Sequence, residues 1–125
     1  MAPYRVLVVE DDEQVRELVE MLLTEAGLTV VTAATGEEAL ERLERDEFAL
    51  IVMDIVLPGR LDGISTAREA RARYPSLKSL FISGRLRPPH TDDFVSKPFL
   101  AHELVGCVWE LLFRPFSRKD MAAIN

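Results

Sequence analysis

Glu10, Asp11 and Asp12 follow directly on the apolar run 6–9, Asp54 closes the run 49–53, and Lys97 stands just after the short apolar stretch 94–96. Paired acids that meet a third carboxylate, with no cysteine or histidine beside them, suit a hard, oxygen-seeking cation better than zinc or copper. Mg²⁺ is the first choice, with Asp11 and Asp54 as direct ligands and Glu10 acting through water. A carboxylate can also attack phosphorus, and a metal would offset the repulsion between the two anions. Asp54 is the best-placed nucleophile. Lys97 and Ser83, at the ends of two other apolar runs, supply the cation and the hydroxyl that would hold the equatorial oxygens of a transferring phosphoryl group. Each acid alone has a plainer role, as a helix cap for Asp12 or a turn residue for Asp54. Their joint occurrence at successive strand exits carries the functional reading.

These groups meet only if the runs that carry them are parallel strands, because short continuous apolar runs read as strands buried on both faces. Helical spacing of Val15, Leu18, Val19, Leu22, Leu23 and Ala26 predicts a first helix, capped by Asp12 and stopped at Gly27. A second strand spans 28–33, and Thr35 to Glu38 has the form of a capping box before a second helix. A third helix covers 64–74 up to Pro75, strands follow at 77–83 and 94–97, and Leu100, Leu104, Val105, Val108, Leu111 and Leu112 form the stripe of a last helix. Strands alternating with helices imply right-handed crossovers and an α/β fold, with a doubly wound parallel sheet covered on both faces. The carboxyl ends of such strands are where open sheets bind ligands. Between Gly84 and Asp93 the alternation breaks around Pro88-Pro89, so no full helix is expected there.

The chain of 125 residues, 48% hydrophobic, fits one compact domain. Its net charge of −6 argues against a nucleic-acid-binding surface, which needs clustered Lys and Arg. Cys107 is the single cysteine, so no intrachain disulfide forms, and with no signal segment and no membrane-length apolar stretch the expected location is cytoplasmic. His90 and His102 have no cysteine near them and read as non-metal residues. Trp109 and Phe113, four apart on the last helix, read as packing residues, with a homodimer contact as their other use.

The ordered series Glu10-Asp11-Asp12 with Arg16, Asp54 with Leu57-Pro58-Gly59 and Asp62-Gly63, Ser83-Gly84, and Lys97-Pro98-Phe99 resembles the receiver domain of two-component response regulators, of the chemotaxis-regulator kind. The resemblance implies a flavodoxin-like (βα)₅ fold with strand order 2-1-3-4-5, a receiver domain over 1–113 and a short tail over 114–125. It also implies that a histidine kinase or histidine phosphotransfer protein donates a phosphoryl group to Asp54. On the same ground Glu10 and Asp11 are the acidic pair, the Val56 carbonyl completes the Mg²⁺ site, Ser83 is the switch hydroxyl, Phe94 the aromatic switch residue, and Lys97-Pro98 a cis bond. Two departures stand out. The loop 57–63 carries one residue more than the commonest form, which should reshape the rim without moving Asp54. The interval from Ser83 to Lys97 is shorter than usual by roughly two helical turns, so the family's fourth helix should be missing or reduced, and segment 84–93 is expected to be mobile until Asp54 is phosphorylated or a partner binds.

Two rival functions remain on this reading. A phosphatase or hydrolase with an aspartyl nucleophile would resemble enzymes that carry a second Asp two residues on, where this chain has Val56. A pseudo-receiver would bind a protein partner without phosphorylation. The receiver reading implies no separate substrate turnover beyond self-phosphorylation and self-dephosphorylation. With no room for a second domain, the expected output is through a downstream protein target, or as an intermediate or sink in a phosphorelay, rather than through DNA.

Overall fold

The computed structural model describes residues 4–84, 86–88 and 93–114. Among these residues are five strands, β1 (Arg5–Val9), β2 (Thr29–Ala33), β3 (Leu50–Asp54), β4 (Lys78–Ser83) and β5 (Phe94–Ser96), and four helices, α1 (Glu13–Glu25), α2 (Gly36–Arg45), α3 (Gly63–Arg73) and α4 (Ala101–Phe113), in alternation except that β5 follows β4 directly. All pairings are parallel and the sheet order is β2-β1-β3-β4-β5. This is the expected order. No helix occurs between β4 and β5 among the described residues, as the short interval predicts. The expectation that segment 84–93 orders on phosphorylation falls in half on residues 85 and 89–92, which lie outside those described, as do His90 and the tail from 115.

Side chains alternate along each central strand, and both faces are buried. Leu7, Val9, Ile51, Met53 and Phe81 pack with α2 and α3. Val6, Val8, Leu50, Val52, Leu80 and Ile82 pack with α1 and α4. Burying each such side chain stabilises the fold by roughly 1.5–3 kcal/mol, which fixes strand register and therefore which residues emerge at the sheet's carboxyl edge.

The caps follow the sequence closely. Asp12 accepts from the Gln14 and Val15 amides at 2.9 and 3.2 Å, and α1 gives way at Gly27, whose φ of 96° lies in the left-handed region. Thr35 Oγ1 accepts from the Glu38 amide at 3.0 Å, but the Glu38 carboxylate takes the Ala34 amide, one residue before the reciprocal partner of a capping box. Two apolar residues leave their expected places. Leu18, at the edge of the α1 stripe, is 44% exposed, and Leu100, which precedes the first turn of α4 as its N-cap, is 60% exposed. Trp109 and Phe113 do pack together, rings stacked 5.5 Å apart, with Tyr4 set edge-on to both.

Gly63 begins α3 hard against the end of β3, where Asp54 sits. Its amide donates to the Ile55 carbonyl at 2.7 Å, and a Cβ there would lie 2.0 Å from the Asp54 carbonyl oxygen and 2.8 Å from Ile55 Cα. Because the obstruction is backbone, Gly63→Ala should destabilise the protein by about 2–3 kcal/mol, read as a lowered urea midpoint. An unchanged midpoint would show that α3 can move off β3.

Candidate phosphoryl and metal site

Strand register delivers the predicted groups to one place. Val9 pairs with Met53, Asp54 with Ile82 and Ser83 with Ser96, so the residues that end β1, β3, β4 and β5 share the sheet's carboxyl edge. There Glu10, Asp11, Asp12, Asp54, Val56, Ser83, Gly84 and Lys97 line an open cleft of about 390 Å³. A larger cleft of about 530 Å³ lies at the opposite end of the strands, and its lining includes Glu44, Asp46 and Glu47. There, however, Glu44 pairs with Arg73 and Asp46 with Arg5, and among the described residues only Glu10, Asp11 and Asp54 converge closely enough to share a cation.

Lys97 reaches across the sheet from beyond β5. Its ammonium donates to Asp54 Oδ2 at 2.8 Å and also to Glu10 Oε1. Burial works against the charged ammonium, yet its bonds to Asp54 and Glu10 outweigh that and hold its pKa above the ordinary lysine value. Asp54, only 9% exposed, has its other oxygen on the Val56 amide at 3.1 Å. Glu10 is fully buried, and burial chiefly, with the neighbouring Asp54 adding to it against the pull of Lys97, raises its pKa from 4.5 to about 7. Asp12 faces the same cleft while capping α1.

The donor set fits a small, hard cation. Glu10, Asp11 and Asp54 each offer an oxygen, all within 4.8 Å of one another, with Asp11 exposed to the entrance. Glu10 Oε2 is buried with no hydrogen-bond partner in the structure. A buried acceptor left unsatisfied is costly, and a hydrated divalent ion would supply its missing donor.

The remaining switch candidates sit beside the cleft. Ser83 is 2% exposed and its Oγ accepts from the Leu86 amide at 3.2 Å. Phe94 does not enter the acidic cleft; it packs on the Phe81 side of the sheet with the Arg87 guanidinium 5.4 Å from its ring centre. The Lys97-Pro98 bond is cis, as the resemblance implies.

Two participants escaped the sequence reading. Arg16 figured only as a motif residue; its guanidinium donates from α1 to the carbonyls of Glu10 and Asp11, at 3.0 and 3.5 Å, and so fixes the turn that presents the acidic pair. Glu37 carries no role of its own in the sequence, as an inner position of the Thr35 to Glu38 stretch, and the structure ties it to the loop after Asp54. The pointer in the sequence was the extra residue in that loop next to Gly59.

Residues 6–108 match the family model described as the response regulator receiver domain. The chain is 37% identical over 116 residues to the response regulator receiver protein CpdR of Brucella abortus (strain 2308), covering 86% of this chain and 96% of that one. It is 38% identical over 109 residues to the uncharacterized transcriptional regulatory protein YrkP of Bacillus subtilis (strain 168), covering 81% of this chain but only 46% of that longer protein. Among solved structures, the response regulator protein TrrA from Thermotoga maritima, in complex with Mg²⁺-BeF, superposes with a TM-score of 0.79 at 32% identity, over 86% of this chain and 98% of that one. With its strand order, its acidic edge and a family match across nearly all the described residues, the chain belongs to the response regulator receiver domain family and hence to two-component signalling.

Proposed function

We propose that this receiver accepts a phosphoryl group on Asp54 from a phosphohistidine of a sensor histidine kinase or a histidine phosphotransfer protein. The observation that carries the reading is Lys97, drawn across three strands to bond Asp54 and Glu10 in a cleft with the third acid at its mouth. An Asp54 carboxylate oxygen attacks phosphorus, the P–N bond breaks, and its electron pair returns to the donor imidazole. Lys97 is already beside the carboxylate and meets the charge of the incoming oxygens, and the Ser83 hydroxyl donates to one of them.

Glu10, Asp11, Asp54 and the Val56 carbonyl would hold Mg²⁺, which when bound neutralises charge between the two anions. That the TrrA relative forms a complex with Mg²⁺-BeF supports a divalent ion for this chain as well. Output would then pass to a downstream protein in the cytoplasm, with Ser83 and Phe94 as the switch pair, and with self-dephosphorylation as the only further chemistry.

Incubating the protein with acetyl phosphate and Mg²⁺ tests this directly. Intact-mass spectrometry is expected to find one phosphoryl group per chain, and peptide mapping to place it on Asp54. No incorporation from acetyl phosphate or from any phosphorylated histidine kinase would favour the phosphorylation-independent binding module instead.

A further inference from the structure

We infer that Glu37, on a different helix from any proposed ligand or nucleophile, is a positioning residue that clamps the loop after Asp54 and so holds the Val56 carbonyl in place for the metal. The inference rests on the proposed Mg²⁺-assisted reaction at Asp54, and its test separates the two.

Loop 55–63 leaves β3 at the acceptor and returns at Gly63, whose amide closes it on the Ile55 carbonyl. Its near end is tied by the Val56 amide on Asp54 Oδ1. The tip, where the additional residue sits, lies outside the strands and helices, and its side-chain anchor is Leu61, packed against the core. Its backbone is held differently: one oxygen of Glu37, Oε1, accepts from two successive amides, Arg60 N and Leu61 N, each at 3.0 Å and more than twenty positions away in sequence.

The geometry depends on Gly59. Its φ of 90° turns the chain so that the next two amides converge, the concave arrangement of N–H groups that receives an anion. A Cβ at Gly59 would stand 2.9 Å from Glu37 Oε2, so the carboxylate fits against the bare backbone. The amides of Arg60 and Leu61, together with the Glu37 backbone amide as the largest influence, hold the Glu37 pKa below the ordinary carboxyl value and keep the clamp charged. Both ends of the metal-facing loop are thereby restrained, at Asp54 by the acceptor itself and at the tip by α2.

Mg²⁺ titrated calorimetrically into the intact chain at pH 8 provides the test, with thermal melts in metal-free buffer alongside. Glu37→Ala is expected to weaken Mg²⁺ binding by about tenfold, at the low end of what partners behind a ligand contribute. Glu37→Gln, which loses the charge but keeps the acceptor oxygen, should recover most of that affinity. Gly59→Ala attacks the same contact from the other side and should match the alanine variant at Glu37 even where one of the two melts early. If wild type binds Mg²⁺ and Glu37→Ala binds it equally well, the clamp is refuted while the Asp54 reading stands. If the glutamine variant is as weak as the alanine variant, the effect is one of net charge and the clamp is likewise refuted. A wild-type protein that binds no Mg²⁺ overturns the underlying reading and this one with it.

Discussion

Asp54→Asn is expected to lose phosphoryl acceptance, slowed by at least about a thousandfold, while remaining as stable as the wild type or more so. The amide has no carboxylate nucleophile to offer phosphorus. It still presents one oxygen to the Val56 amide, and Lys97 retains Glu10 as a partner. One negative charge leaves a cluster whose three carboxylates lie within 4.8 Å of one another, so self-repulsion in the metal-free protein falls. Intact-mass spectrometry after acetyl phosphate treatment reads the first effect and a thermal melt the second. Incorporation at the wild-type rate would assign the chemistry to another side chain.

Glu10→Gln should uncouple stability from metal binding, with a pH dependence of known sign. In the folded, metal-free protein Glu10 titrates near 7, against 4.5 as its ordinary value. Between those pH values the native state holds a proton that the unfolded chain has released. Stability from this group is therefore highest below pH 4.5, falls as pH rises through the window, and levels off above 7, a loss of about 3 kcal/mol at most. Glutamine has no such titration. Its advantage over wild type, measured by urea unfolding without metal, should be near nil at pH 4.5 and largest at pH 8. Added Mg²⁺ at pH 8 should reverse the order, because the wild type gains binding free energy while the variant binds Mg²⁺ roughly 10–100-fold more weakly. In the wild type, apparent Mg²⁺ affinity should drop by up to about tenfold for each unit below pH 7, since the ion competes with the proton on Glu10. A difference between the two proteins that does not vary with pH would mean that Glu10 is ionised throughout.

The architecture was legible wherever a residue type has only one economical use. Apolar runs without polar interruption at 6–9 and 49–53 had to be central strands, and the acids that end them had to meet once the strands were parallel. Asp12, Thr35 and Gly27 announced helix ends through local hydrogen bonding and backbone freedom, and the structure places them there. Contacts that depend on tertiary approach were not legible. Leu18 fits the helical period of α1, yet it stays 44% exposed at the edge of that stripe. Glu37 meets a loop 23 and 24 residues further on, and nothing local to α2 distinguishes it from Glu38, whose partners Ala34 and Arg42 both lie within four residues. Arg114 bridges Asp93 and Glu110, joining the entrance of β5 to the last turn of α4, a tie invisible in a chain read one segment at a time.

The sheet's uneven support has a mechanical consequence. Asp54 belongs to β3, clasped by β1 on one side and β4 on the other, with Gly63 pressed on its carbonyl. Ser83 ends β4 itself, and Lys97 follows β5, an edge strand of three residues whose strand partner among the described residues is β4. Under the proposed phosphorylation of Asp54, load falls on a stiff anchor beside a compliant border, and the expected response is displacement at β5 rather than in β2, which is shielded behind β1.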